Sequence, residues 1–400
     1  MPGTEAVLPF HTFLWKIASR CNINCSYCYI YNSQDSGWSK QPGFMSERVA
    51  RQSAKRILEH CRRHEKDDVC ITFHGGEPLL GGVEHLRMLS AVVREELRDR
   101  GIKVTLGMQS NGLLFTPEIG DVMLKEGICV GISTDGPPAV NDLYRVDHSG
   151  RGTGQALEEK IKLIISPRYK SIFSGFLCVI NLKSDPVEIA RYLFSPDSPI
   201  ASDWPGVDFM LPHNNHSSRP IGKEMDVTIA PYGEWLVKVF DYWFHEARRG
   251  SIRIFNSLIL SLLGAPSDVE AVGLGPVDLI VIESNGEIEG VDTLKSTFDG
   301  APGLGCNVFT HDFDSVAAHR DVTRRQMGLG GLCQTCRDCA LVNVCGGGYL
   351  PHRYSDQNGF DNPSVYCADL MLLINHIATN VVEQVLEVLP REAPPIAVRG

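Results

Sequence analysis

The chain has 400 residues, 43% hydrophobic and 22% charged, which provides a sizeable core and excludes a disordered or collagen-like protein. The formal net charge of −10, from 38 basic and 48 acidic residues, argues against duplex nucleic acid as the main partner. No uncharged apolar run approaches the ~20 residues of a membrane span, and the first residues lack the basic-then-apolar pattern of a signal peptide, so no membrane partner and a cytoplasmic location are expected. Thirteen cysteines in that setting favour metal ligation over disulfides.

In chain order, residues 11–17 read as a strand running into the loop of Cys21, Cys25 and Cys28. Residues 46–59 carry a capping Ser and apolar residues at helical spacing, hence a helix. Strands follow at 69–73, 103–109, 128–133, 174–180 and 207–211, with helices at 84–98, 117–126, 154–165 and 187–193 between them. Repeated β-α units whose strands end in polar or Gly-rich turns predict a parallel sheet or partial barrel, with chemistry at the C-terminal ends of the strands. That edge would gather Cys21–Cys28, His74–Glu77, Ser110–Asn111, Ser133–Asp135 and residues 212–214. The second half differs. Residues 232–248 form an amphipathic helix whose aromatic residues read as core, and 254–263 a second helix. Residues 279–289 form a hairpin with a two-residue Asn285-Gly286 turn, and 369–389 a closing helix.

Five cysteines (Cys333, Cys336, Cys339, Cys345 and Cys367) cluster late. Cys61, Cys70, Cys129 and Cys178 stand alone and read as small buried hydrophobes. Three thiolates in one short loop suit a [4Fe–4S] cluster with one iron left open, whereas a structural zinc site shows four ligands.

Cys21-x3-Cys25-x2-Cys28 after a strand, with Tyr27 beside the last Cys, resembles the signature of radical S-adenosylmethionine (SAM) enzymes. His74-Gly75-Gly76-Glu77-Pro78 resembles that superfamily's GGEP motif, which implies that Gly75, Gly76 and Glu77 bind the methionine amino group. Ser110-Asn111-Gly112 stands where the family binds ribose and the methionine carboxylate. Ser133-Thr134-Asp135-Gly136-Pro137 with Asp142 and Arg145 resembles its SxDGP…HDxxR stretch, Asn141 replacing the His. The resemblance implies SAM contacts for Ser133, Asp135 and Arg145.

Cys336-x2-Cys339-x5-Cys345 and Cys367 resemble a SPASM domain, which implies that these four ligate an auxiliary [4Fe–4S] cluster. A four-cysteine zinc knot is the alternative. A second, inner cluster lacks its usual ligands: residues 290–292, Thr310 and Tyr349 stand where cysteines belong. Cys306, Cys333 and the carboxylate of Asp292 are left as atypical candidates.

The fold implied is an α/β protein with a partial (β/α)6 TIM-like radical SAM barrel over 10–230. A helical and hairpin bridge (231–300), a small Cys-rich SPASM domain (301–370) and a C-terminal helix (371–390) follow. The motifs resemble most the FxsB-like peptide maturases, which implies cyclophane formation in a ribosomally made precursor peptide. There the 5′-deoxyadenosyl radical takes a β-hydrogen, and the carbon radical joins an aromatic ring. The alternatives are an ether or thioether crosslink, epimerisation, or sulfatase-type formylglycine maturation, whose enzymes usually carry all seven SPASM cysteines. A flavodoxin- or ferredoxin-like reductant is an expected partner. With 20 residues before Cys21, leader binding is expected on the SPASM and linker surfaces or on a separate leader-recognition protein. Candidates for a base are Asp208, His213, Asp278, Glu283 and Asp292, while Arg353 and Tyr354 are open between substrate contact and cluster-loop packing.

Overall fold

Apolar residues alternate along Thr12–Ala18 (β1) and Asp68–Gly75 (β2), so each strand buries one row, Phe13, Trp15 and Ile17 or Val69, Ile71 and Phe73, against helices. The opposite row places Lys16 of β1 in register with His74 of β2. A computed structural model describes residues 8–203, 206–267 and 269–388; the last expected residues of the closing helix lie outside them. The next strands are Lys103–Ser110 (β3), Ile128–Ser133 (β4), Phe173–Val179 (β5) and Gly206–Met210 (β6), all parallel and in sequence order.

The interleaved helices start where capping chemistry requires it. Ser46 Oγ accepts from Val49 N ahead of Glu47–Arg63, Thr116 caps Pro117–Glu126 and Asp185 caps Pro186–Phe194. Asp142 Oδ1 accepts from Thr153 N and Gly154 N, both at 2.7 Å, at the start of Gly154–Ile164.

The sheet continues beyond the six expected strands. Ser251–Ile252 (β7) pairs with β6, and Leu279–Ile282 (β8) lies parallel to β1. Glu287–Glu289 (β9) and Gly303–Asn307 (β10) complete the order β10-β9-β8-β1-β2-β3-β4-β5-β6-β7. The hairpin loop is longer than expected. Glu283 N bonds Glu287 O and Gly286 N bonds Glu283 O, leaving three residues in the loop rather than two. The helix expected over 232–248 is α-helical over Pro231–Asp241 and then widens to a π-helix over Tyr242–Ala247, where Phe240 stacks on Phe244. Its apolar row packs into the core with the closing helix Cys367–Val388, as its aromatic pattern predicts.

Cys61 and Cys178 are buried and Cys70 is half-buried, but Cys129 is exposed. Ile128, Val130 and Ile132 take the buried face of β4, so Cys129 falls on the other, opposite Gly107, which has no side chain to cover it.

Candidate active site

The segments after β1, β4, β5 and β6 line a cleft of about 360 Å³, whose walls include Tyr27, Tyr29, Tyr144, Asn181, His213 and Ser296. Here the cysteine loop after β1 meets the turns after β2, β3 and β4. Gly75 and Gly76 make that meeting possible. A Cβ at Gly75, which has φ +144°, would sit 1.9 Å from Ala18 O, and one at Gly76 would sit 2.3 Å from Arg20 O. Gly76 N and Glu77 N bond those same carbonyls at 2.8 and 2.9 Å. The close approach seen here is between two loops of the chain.

Glu77 joins the loops as well. It is wholly buried, and its carboxylate accepts from Leu79 N (2.9 Å), Ser110 Oγ (2.8 Å) and Asn111 N (2.7 Å). Burial pushes its carboxyl up against these three donors. Glu77 therefore ties the turn after β2 to the turn after β3. Asn111 Nδ2 reaches Asn22 Oδ1 at 2.8 Å and lies 3.7 Å from Cys21 Sγ.

On the next wall the Tyr27 hydroxyl donates to Asp135 Oδ2 at 2.6 Å and accepts from Arg145 Nη1 at 2.9 Å. Val179 N holds the other Asp135 oxygen at 3.1 Å. Asn141, in place of the motif's His, is buried and accepts from Asp135 N at 3.5 Å. Ser133 Oγ accepts from Gln109 Nε2 at 2.9 Å. Arg145 Nε is buried without a partner among the described residues.

Burial pushes the Cys21 thiol up to about 12 and the Cys25 thiol to about 11, and raises Cys28 too. Buried thiols become ligands when a cation offsets the cost of burying thiolate. Among the described residues no three thiols converge within 4.8 Å. Tetrahedral zinc, with Zn–S near 2.3 Å, would draw them to about 3.8 Å apart. A multi-iron cluster, with one thiolate on each iron it offers to the protein, spreads its ligands more widely than that.

The late cysteines gather in the same open manner. Burial first, then Cys333, pushes Cys336 up to about 12. Burial, then Cys367, pushes Cys345 to about 11, and Cys339 and Cys367 also interact. Cys333 thus joins the expected four. Cys306 on β10 interacts with no other thiol; its Sγ contacts Leu304 O at 3.4 Å. Arg353 bonds the carbonyls of Gly346 and Gly348, and Tyr354 packs on Phe298 and Phe360. Both brace the cysteine region. Gly346 is needed there: it has φ +61°, and a Cβ would lie 1.7 Å from Gly273 O.

The positions that lack inner-cluster cysteines carry other chemistry. Tyr349 OH lies within hydrogen-bond distance of Thr293 Oγ1, and Glu270 Oε1 accepts from buried Arg325 Nε at 3.2 Å nearby. Asp292 pairs with Lys16, which is 2% exposed. The Tyr29 hydroxyl donates to Asp292 Oδ2 at 2.8 Å, and Lys16 Nζ donates to His74 Nδ1 at 3.2 Å. Burial opposes charge on Asp292, yet Lys16, His74 and Tyr29 hold its carboxyl well below the usual range. Burial lowers His74 and His213 to about 4, keeping both neutral.

Of the candidate bases, Asp292 and His213 meet here. Tyr29 bonds the first and packs edge-on against the second, with ring centroids 4.9 Å apart. Asp278 lies at the opposite end of the barrel, where its carbonyl accepts from His11 N and Thr12 N. Asp208 pairs with Arg253, and Glu283 with buried Lys295. Sequence reasoning missed Lys16, Tyr29 and His74 as a unit. Its one signal was a Lys inside the apolar strand TFLWKIA, because a buried Lys is rarely without a partner.

Residues 15–188 match the family model for the radical SAM superfamily. That region, under half of the chain, is thus a radical SAM region, and the protein is an enzyme. S-adenosylmethionine and an iron–sulfur cluster are accordingly its cofactors. The chain is 24% identical over 379 residues to the cysteine-type anaerobic sulfatase-maturating enzyme of Clostridium perfringens, covering 90% of this chain and 94% of that one. It is 22% identical over 397 residues to the serine-type anaerobic sulfatase-maturating enzyme of Bacteroides thetaiotaomicron, covering 96% and 94%. A solved structure of anSMEcpe with bound AdoMet and Cp18Cys peptide superposes with a TM-score of 0.78 at 22% identity, over 96% of this chain and 100% of that one. Its likeness is one of fold. Among the described residues no helix is long and apolar enough to cross a membrane.

Proposed function

We propose that this radical SAM enzyme oxidises a side chain of a peptide, and that its reaction is the formylglycine-forming maturation of a sulfatase-type segment. The observation that carries this reading is the cleft at the strand ends, where the cysteine loop, a polar wall and a proton-accepting wall face one space. Near-full-length similarity to both cysteine-type and serine-type sulfatase-maturating enzymes supports the choice of reaction over the cyclophane formation implied by the motifs.

Cys21, Cys25 and Cys28 would hold the [4Fe–4S] cluster. With SAM bound, that pair supplies one-electron cleavage of SAM and abstraction of hydrogen from a substrate carbon. The backbone of Gly75 and Gly76 with Ser110, Asn111, Ser133, Asp135, Tyr27 and Arg145 would bind SAM. Glu77, with no surface of its own, positions two of those turns. A proton leaving the substrate carbon meets neutral His213 on the cleft wall, with ionised Asp292 behind it through the Tyr29 hydroxyl. Cys336, Cys339, Cys345 and Cys367 would hold one auxiliary [4Fe–4S] cluster in a SPASM domain, with Cys333 beside it, and that cluster would supply the acceptor for the second electron the substrate loses along with that proton. A peptide, a flavodoxin- or ferredoxin-like reductant and a separate leader-recognition protein are the partners proposed.

The non-cysteine side chains at Asp292, Thr310 and Tyr349 favour the second reading, an aromatic-to-β-carbon crosslink in a precursor peptide, because sulfatase maturases usually carry cysteines at those inner positions. Anaerobic reconstitution tests both. The protein should hold about eight irons and release 5′-deoxyadenosine with SAM and dithionite. Peptides containing a sulfatase-type Cys or Ser segment should gain a hydrazide-reactive aldehyde. Release of 5′-deoxyadenosine with no aldehyde, and a two-hydrogen mass loss in an aromatic precursor peptide, would replace the first reading with the second.

A further inference from the structure

Outside the cleft, one cluster of side chains has ligand chemistry that the reaction does not use. His60 lies in the last turn of the helix Glu47–Arg63, and His64, four residues on, is the residue that caps its C-terminus. Asp314, 250 residues further on in the short helix Phe313–Ala317, projects against that helix end. His60 Nδ1 and His64 Nε2 lie 3.0 and 2.8 Å from the same oxygen, Asp314 Oδ1, and the three atoms fall within 4.8 Å of one another. Ligands about 2.1 Å from a tetrahedral ion stand about 3.4 Å apart, so shifts of a few tenths of an ångström would admit one.

We propose that His60, His64 and Asp314 form a binding site for a divalent transition-metal ion of the zinc type, with water as the fourth ligand, that staples the first barrel helix to the segment after β10.

Three further observations support a cation over a bare hydrogen-bonded triad. Arg63 and the two imidazoles divide the Asp314 carboxylate: Arg63 takes Oδ2 and also reaches Asp312 at 3.2 Å, which orients Oδ1 as a one-oxygen ligand. The His60 side chain is 1% exposed, and its Nε2 has no hydrogen-bond partner among the described residues. Phe10, Phe13 and Phe313 wall the inner side, which suits a structural ion.

The test uses cluster-reconstituted, chelator-washed protein titrated anaerobically with Zn²⁺. Wild type should take up one zinc per chain beyond its iron and melt a few degrees higher, roughly 2–4 °C for each tenfold gain of zinc over its Kd. His64→Gln, a half-exposed site, should lose that one equivalent and the melting shift while keeping its iron and its 5′-deoxyadenosine release. Asp314→Asn checks the carboxylate in the same way. Equal zinc uptake by wild type and both variants would place the ion on free cysteines and overturn the proposal. No uptake at all would leave the triad as a hydrogen-bonded tether and overturn it equally.

Discussion

Removing the Asp292 charge should cost far more stability than an ordinary polar substitution. Lys16 is 2% exposed and the Asp292 side chain 8%, and they face each other within the core of the strand-end site. Asp292→Asn keeps the shape but leaves a buried ammonium with neutral partners. Removing one member of a buried pair costs about 3–5 kcal/mol, which for a chain of this length lowers Tm by roughly 4–6 °C. Lys16→Met combined with Asp292→Leu removes both charges, so it should recover most of that loss, less about 1 kcal/mol for the Tyr29 hydroxyl left without its acceptor. Anaerobic melts of the iron-loaded proteins at one scan rate read this directly. 5′-deoxyadenosine release and peptide oxidation, measured alongside, separate stability from chemistry: the double variant should regain the first and not the second. A single variant within 1–2 °C of wild type, or a double variant no better than the single, would refute the claim that Lys16 is charged and neutralised by Asp292.

Other outcomes follow from the same geometry. Cys25→Ala should abolish 5′-deoxyadenosine release and keep about four irons at the late cysteines, as iron counting would read. Cys345→Ala should lose those late irons and destabilise the C-terminal half, because cluster-binding energy is also folding energy; limited proteolysis would report it. Tyr27→Phe removes the hydroxyl between Asp135 and Arg145 and should weaken SAM binding about tenfold or more by equilibrium titration, with iron content unchanged. Burial, with Glu283 beside it, pushes the Glu289 carboxyl up to about 8. The folded state then holds the extra proton, so stability is fully present below the ordinary carboxyl value and falls as pH rises towards 8. Glu289→Gln should flatten that fall in melts taken from pH 5 to 8.

Much of the site was legible because its parts are local in the chain. CxxxCxxC, HGGEP, SNG and STDGP each sit within a few residues at a strand end, and β-α alternation alone brings strand ends to one edge. Tertiary structure decided what those residues do. It made Glu77 an internal tie between two loops, because its donors Leu79, Ser110 and Asn111 come from the turns after two different strands. It separated Asp278 and Asp208 from the cleft and joined Asp292 to Lys16 and Tyr29 across 276 and 263 residues. It set Cys333 against Cys336, exposed Cys129, and set Asp314 against two histidines 250 and 254 residues away. The physical reason is range. Caps, periodicity and ligand spacing act over a few residues and leave marks in composition, whereas burial and ion pairing depend on which distant side chains the sheet order brings together, and no local pattern records that.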